Sequence, residues 1–177
     1  KTAIRTIARL LPLLIWLVVG AGCASIDFDY PRTESSTLVN TSDTFLAEQF
    51  ADVVAMHPPD ESGFYPIYDG IDALAARLLL AEYAERSIDV QYYLIKDDLV
   101  GRAFINALLK AADRGVRVRL LLDDIFTSGY DAGMAALHAH PNFEIRIFNP
   151  FNRGGLGAAV SAVTNFSRIN RRMHNKS

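Results

Sequence analysis

His174 and Lys176 stand two residues apart in the run Arg168-Ile169-Asn170-Arg171-Arg172-Met173-His174-Asn175-Lys176-Ser177. On a strand, alternate residues point to the same side. An imidazole and an ammonium would then face one pocket. That pairing suits phosphoryl chemistry, in which the imidazole attacks phosphorus and the fixed cation balances the phosphate oxygens. The residues therefore predict phosphodiester chemistry, with catalytic roles for both side chains. A lone His-x-Lys arises often by chance, so the surrounding elements have to carry the reading.

Those elements form an alternating pattern. Phe45, Leu46, Phe50, Val53 and Val54 recur at helical spacing, predicting a helix over residues 43–56 that His57-Pro58-Pro59 ends. Residues 64–68 read as a strand broken by Pro66, which would confine it to a sheet edge. Asp69-Gly70 opens a helix to about residue 86, with Leu74, Leu78 and Ala81 on one face. Residues 87–95 are rich in strand formers. Asp97 or Asp98 caps the next helix, which runs to Arg114 and stops at Gly115. Residues 116–122 alternate Val-Arg-Val-Arg before three leucines, a strand entering the core. A helix over residues 131–140 ends at Pro141, and residues 143–148 alternate again as a strand.

Strands separated by single helices imply parallel βαβ units with right-handed crossovers. The predicted fold is α/β, with strands and helices forming part of a mixed or parallel sheet sandwiched by helices. The Gly-rich residues 153–157 read as a mobile loop and lack the strand-to-helix setting of a dinucleotide site.

The 177 residues suffice for one domain once a leader is set aside. A formal net charge of −2 gives no global attraction to nucleic acid or anionic lipid, and positive charge is confined to the two ends. Cys23 is the sole cysteine, so no intrachain disulfide forms. Lys1, Arg5 and Arg9 precede an apolar run from Leu10 to Val19, then Gly20-Ala21-Gly22-Cys23. Basic start, short apolar run and small residues describe a secretory signal peptide. The run is short of the ~20 apolar residues a spanning helix needs.

A cysteine after small residues resembles a bacterial lipoprotein processing site, although Gly20 stands where such signals usually carry Leu. The resemblance implies a signal peptide over residues 1–22, lipidation of Cys23 and a tether over 23–44, which leaves residues 45–177 as the domain. Several acyl chains at Cys23 would hold the protein to a membrane. Ala24 and Ser25 lack the Asp that favours inner-membrane retention in enteric bacteria, which points to the outer membrane.

Other residues take plainer readings. Asp123-Asp124 closes a strand where α/β ligands often bind, but reads as a cap and turn. His138 and His140 would not share a helix face well, which disfavours a metal site. Tyr92 and Tyr93 point oppositely on a strand and read as core. Arg168, Arg171, Arg172 and Lys176 could attract lipid phosphates or a nucleic-acid backbone, or form a solvated positive face on a short helix.

Three segments in order, Asp89-Val90-Gln91-Tyr92-Tyr93, Gly115 to Asp124 and Asn170 to Ser177, resemble the phospholipase D superfamily, and within it the C-type bacterial cardiolipin synthases. The family signature is His-x-Lys-x-x-x-x-Asp, and His174 and Lys176 match its opening His and Lys. Family members carry two such signatures that pair into one site, whereas this chain holds a single partial copy. The resemblance therefore implies an N-terminal piece that is inactive alone. It also implies a covalent phosphohistidine on one His, acid–base service by the other, and Lys contacts to the non-bridging oxygens. Which His is the nucleophile is left open. The implied substrate is phospholipid, with no metal, no cofactor and no nucleic acid. The alternatives are a superfamily nuclease, which completes its site by dimerisation, and a non-catalytic membrane lipoprotein.

Overall fold

Three runs of alternating or β-rich sequence become three parallel strands, β1 (Ser87–Tyr92), β2 (Arg117–Asp123) and β3 (Phe143–Phe148), in the order β1-β2-β3. Parallel neighbours need a crossover connection. Helix α3 (Leu99–Asp113) supplies the first and α4 (Asp131–His138) the second, after α1 (Phe45–Ala55) and α2 (Gly70–Tyr83). This is the α/β architecture expected from the sequence. The computed structural model describes residues 31, 33–151, 167 and 170–177. Cys23, the leader and residues 153–157 lie outside the described residues.

The chain divides into two units, Thr33–Phe148 with Met173–Ser177, and Lys1–Arg32 with Asn149–Arg172. In the second, the Asn149 side-chain amide donates to the Arg171 carbonyl at 2.8 Å, and the Arg172 guanidinium lies over the Phe151 ring at 4.3 Å. The sheet, its helices and the His-x-Lys strand all belong to the first.

The register explains the core. Leu120 stands between Val90 and Ile145, and Val118 between Ile88 and Phe143, so one sheet face is a continuous apolar surface. Against it pack Phe104, Leu108, Ala111 and Ala112 of α3, with Ala81 of α2 beside them. Leu108, Ala111 and Ala112 are wholly buried; the two alanines let the helix backbone approach the strands.

Of the two candidate caps for α3, Asp98 is the one used: its carboxylate accepts from Gly101 N at 2.9 Å, while Asp97 pairs with Arg102 at 2.6 Å. Gly115, at φ +94°, turns the chain into β2, a conformation that glycine adopts without steric cost. Gly101 meets a tighter constraint. A Cβ there would stand 1.9 Å from the Lys96 carbonyl oxygen, which is backbone and yields only if the β1–α3 loop moves. Gly101→Ala is expected to lower stability by ~1–3 kcal/mol, the usual range for overpacking, as read by urea denaturation.

Some boundaries differ from the sequence reading. Residues 64–68 form no strand; Phe64, Tyr65 and Tyr68 are about nine-tenths exposed. Pro66 lacks an amide donor, and among the described residues no strand pairs with the segment. Helix α2 stops at Tyr83 because Ala84 adopts extended geometry, and Arg114 then donates to the freed carbonyls of Ala81 and Glu82, each at 2.8 Å. Strand β1 ends at Tyr92, three residues early, as the backbone bends at Tyr93.

The other sheet face is polar. Arg119 on β2 forms a two-pronged pair with Asp89 on β1, at 2.6 and 2.5 Å. Arg117 donates to the Ser36 carbonyl and Arg119 to the Ser35 hydroxyl, both at 2.9 Å, and Arg146 reaches the Thr33 carbonyl. The hydrogen bonds from Arg119 pull the Asp89 carboxyl below its usual 3.8, outweighing partial burial, which pushes the other way. A carboxylate whose pKa is depressed by folding stabilises the native state above its unfolded value, and that contribution is lost as pH falls through the folded one. Because the Asp89 side chain is 38% exposed, the pair contributes under ~1 kcal/mol. Asp89→Asn is expected to be slightly less stable than the native chain at pH 7, with the gap closing below pH ~4 in urea titrations.

Candidate active site

Strand β1 pairs with β2 on one side only, and an unpaired strand edge invites another segment. The C-terminal residues take that place. Ser177 and Gln91 exchange both backbone hydrogen bonds, at 3.0 and 2.6 Å, and Tyr93 N donates to the Asn175 carbonyl at 3.0 Å. The pairing is antiparallel, with Lys176 opposite Tyr92. Asn175, Lys176 and Ser177 thereby lie antiparallel along the free edge of β1, with one isolated bridge at Lys176.

This register assigns faces. Directly opposed residues share a sheet face, so Lys176 lies on the side of Tyr92, whose ring meets Phe104 of α3 at 5.3 Å. Asn175 goes to the other face, where its amide donates to Gln91 Oε1 at 2.9 Å. His174 lies beyond the bridged residue, and its imidazole takes its place from the Tyr93 ring. The His174 and Lys176 side chains are both exposed.

Two neighbours hold the segment before it reaches His174. The Tyr93 ring stacks on the His174 imidazole, centroids 4.4 Å apart and planes 26° apart, and meets Phe126 edge-on at 5.5 Å. Asp123, at the end of β2 and 1% exposed, accepts Met173 N on Oδ2 at 3.0 Å. Its other oxygen accepts Ile125 N at 3.0 Å, capping the 3₁₀ turn Asp124–Phe126. Asp124, also buried, accepts the Thr127 hydroxyl.

Asp123 is thus the cap and turn residue expected, and it has a second task that the sequence does not advertise. Tyr93 departs from the expected core role: the bend after β1 turns its ring to the imidazole. Neither contact leaves a local signal, because Asp123 and Met173 are 50 residues apart. Paired residues straddling the end of a predicted strand, Tyr92-Tyr93 and Asp123-Asp124, are the available hint.

Two further histidines, His138 and His140, serve the backbone. His138 Nδ1 accepts Ile145 N at 3.1 Å, and His140 Nδ1 accepts Asn142 N at 3.2 Å with Nε2 3.3 Å from Asp113. Among the described residues no three potential metal-binding side chains cluster, and no helix is long and apolar enough to cross a membrane.

Comparison with known proteins puts these features in a lineage. Cardiolipin synthase C of Escherichia coli is 50% identical over 132 residues, covering 75% of this chain and 28% of that protein. An uncharacterized protein of Helicobacter pylori is 33% identical over 156 residues, covering 88% of this chain and 31% of that one. A cardiolipin synthase of Oceanobacillus iheyensis is 31% identical over 81 residues, covering 42% of this chain and 17% of its own length. The chain thus spans less than a third of the curated relatives it matches. No family model matches it. A likeness to the archaeal chromatin protein TrmBL2, at TM-score 0.40 and 18% identity over 60% of this chain and 42% of that one, is too slight to carry an argument.

These relatives, with the parallel βαβ sheet, make the chain part of the phospholipase D superfamily. Within that superfamily it is a homologue of cardiolipin synthase C.

Proposed function

We propose that the full-length protein containing these residues transfers phosphatidyl groups between phospholipids to form cardiolipin, with His174 and Lys176 as one half of its site. The carrying observation is a His-x-Lys pair, with Lys176 bridged to Tyr92 of β1, in a chain 50% identical to cardiolipin synthase C over 132 residues. In the first step a histidine nitrogen bonds to phosphorus, and the phosphorus–oxygen bond to the headgroup alcohol breaks. The alcohol leaves with a proton from the partner histidine. In the second step an acceptor lipid hydroxyl gives its proton to that partner and attacks phosphorus, and the phosphorus–nitrogen bond breaks. Lys176 balances the non-bridging oxygens throughout. His174 is one of the two histidines; the second signature completes the pair.

In this reading Cys23 is lipidated, residues 23–44 tether the domain, and the protein works at a bacterial membrane, the outer one by the residues that follow the cysteine. The 177 residues alone turn over no diester, since they hold one His-x-Lys where the mechanism uses two.

The test is incubation of the full-length protein with phosphatidylglycerol vesicles. Cardiolipin and free glycerol are expected, with an alkali-stable, acid-labile phosphoprotein that His174→Ala alters. A folded protein that forms no cardiolipin defeats the proposal, and salt-sensitive DNA cleavage in its place would select the nuclease alternative.

A further inference from the structure

A cavity of about 480 Å³ opens between α3, α4 and the C-terminal ends of β1 and β2. Its lining is mainly apolar, with Ile105 and Leu109 from α3, Met134 and Leu137 from α4, and Leu122 and Ile145 from the sheet, and it also includes Lys96, Asp97, Arg102 and Asn106. Two further wall residues, Tyr93 and Asp123, are the same two that touch the His-x-Lys strand. The Tyr93 ring therefore has the cavity beside it and the imidazole stacked upon it. A mainly apolar hole begins where the phosphate-handling pair ends.

That continuity selects an amphiphile whose phosphate and hydrocarbon parts are covalently joined. The volume lies within the usual range for small-molecule sites. A space of that size takes a stretch of hydrocarbon chain. Burying such a chain removes apolar surface from water on both sides of the contact.

We propose that this cavity is an acyl-chain subsite, in which one fatty acyl chain of the phospholipid lies between α3 and α4 while its phosphate is held at His174. The assignment rests on the phosphatidyl-transfer reading of the site. It adds a property that reading does not require: selection by chain length, set by the depth of the α3–α4 cleft rather than by the headgroup contacts.

Methionine placement provides a probe. The chain has three methionines: Met134 lines the cavity, Met173 precedes His174, and Met56 is exposed beyond α1. With ¹³C-methyl methionine in the 177-residue chain and phosphatidylglycerol bicelles, a nitroxide in mid-acyl chain is expected to broaden the Met134 signal beyond detection. A nitroxide on the headgroup is expected to act on Met173 instead. A Met134 signal untouched by the acyl label in the folded chain overturns the proposal.

Filling the cavity in the full-length protein gives a second readout. Leu137→Trp is expected to raise KM for long-chain phosphatidylglycerol at least tenfold, with hydrolysis of the soluble diester bis(p-nitrophenyl) phosphate unchanged. If the soluble diester is cleaved and long-chain lipid is handled as before, the subsite is wrong and the active site stands. If the unsubstituted protein cleaves neither, both fall.

Discussion

His174→Ala is expected to lower cardiolipin formation by the full-length protein by ~10⁴-fold or more, the loss typical of removing a nucleophile or an acid–base group on which the whole sequence depends. Either role demands an imidazole in contact with the reacting phosphorus or the leaving oxygen, so the size of the effect does not depend on which histidine is the nucleophile. Lys176→Ala removes charge balance alone and is expected to cost ~10²–10³-fold, the scale of a single electrostatic contact to a transition state. Neither change should unfold the protein. Both side chains are exposed, and the main packing interaction at stake is the imidazole stack on Tyr93, worth about 0.5–1.5 kcal/mol. A cardiolipin assay beside a thermal melt separates chemistry from folding. Full activity in His174→Ala would remove His174 from the mechanism.

Asp123→Ala is the second large expectation, and it joins fold to function. Its buried carboxylate accepts two backbone amides, Ile125 N and Met173 N, each at 3.0 Å. Both bonds are part-buried, so water replaces much of the lost acceptor and each is worth about 0.5–1.5 kcal/mol. The two together predict a loss of ~1–3 kcal/mol in denaturant unfolding. One of those amides lies directly before His174, so the variant should also release the edge strand from the end of β2. In the full-length protein kcat is expected to fall ~10²-fold with KM little altered, because misplacement of a reacting group by about an ångström costs that much. Hydrogen exchange at the Met173 amide should accelerate in the isolated chain. Asp123→Asn keeps one carbonyl acceptor and is expected to fall between the two. Unchanged Met173 exchange in Asp123→Ala would show that the carboxylate does not position the strand.

Local chemistry explains why so much of this architecture is legible from residues. The Val-Arg-Val-Arg-Leu-Leu-Leu run can bury only one face along its first half, which writes both the strand and its core side. Asp98 before an amphipathic run, and Gly115 after it, bracket α3 within a residue of the expected ends. Single helices between strands leave parallel pairing as the simple solution, and the order β1-β2-β3 follows. The segments that depart from expectation are those where composition is the sole local signal. Residues 64–68 have strand-forming aromatics but no partner edge among the described residues, and residues 93–95 have strand formers but lie past the bend.

The His174–Lys176 pair and the alternating frame around it are consequences of spacing, which a chain carries wherever it folds. The site's surroundings are of another kind. Which edge accepts the His-x-Lys strand, which tyrosine meets the imidazole, and which carboxylate anchors Met173 all depend on residues 50 to 84 positions apart. Such contacts exist only once the apolar face of β1 and β2 has closed on α3, because only then do the free edge of β1 and the end of β2 stand beside each other.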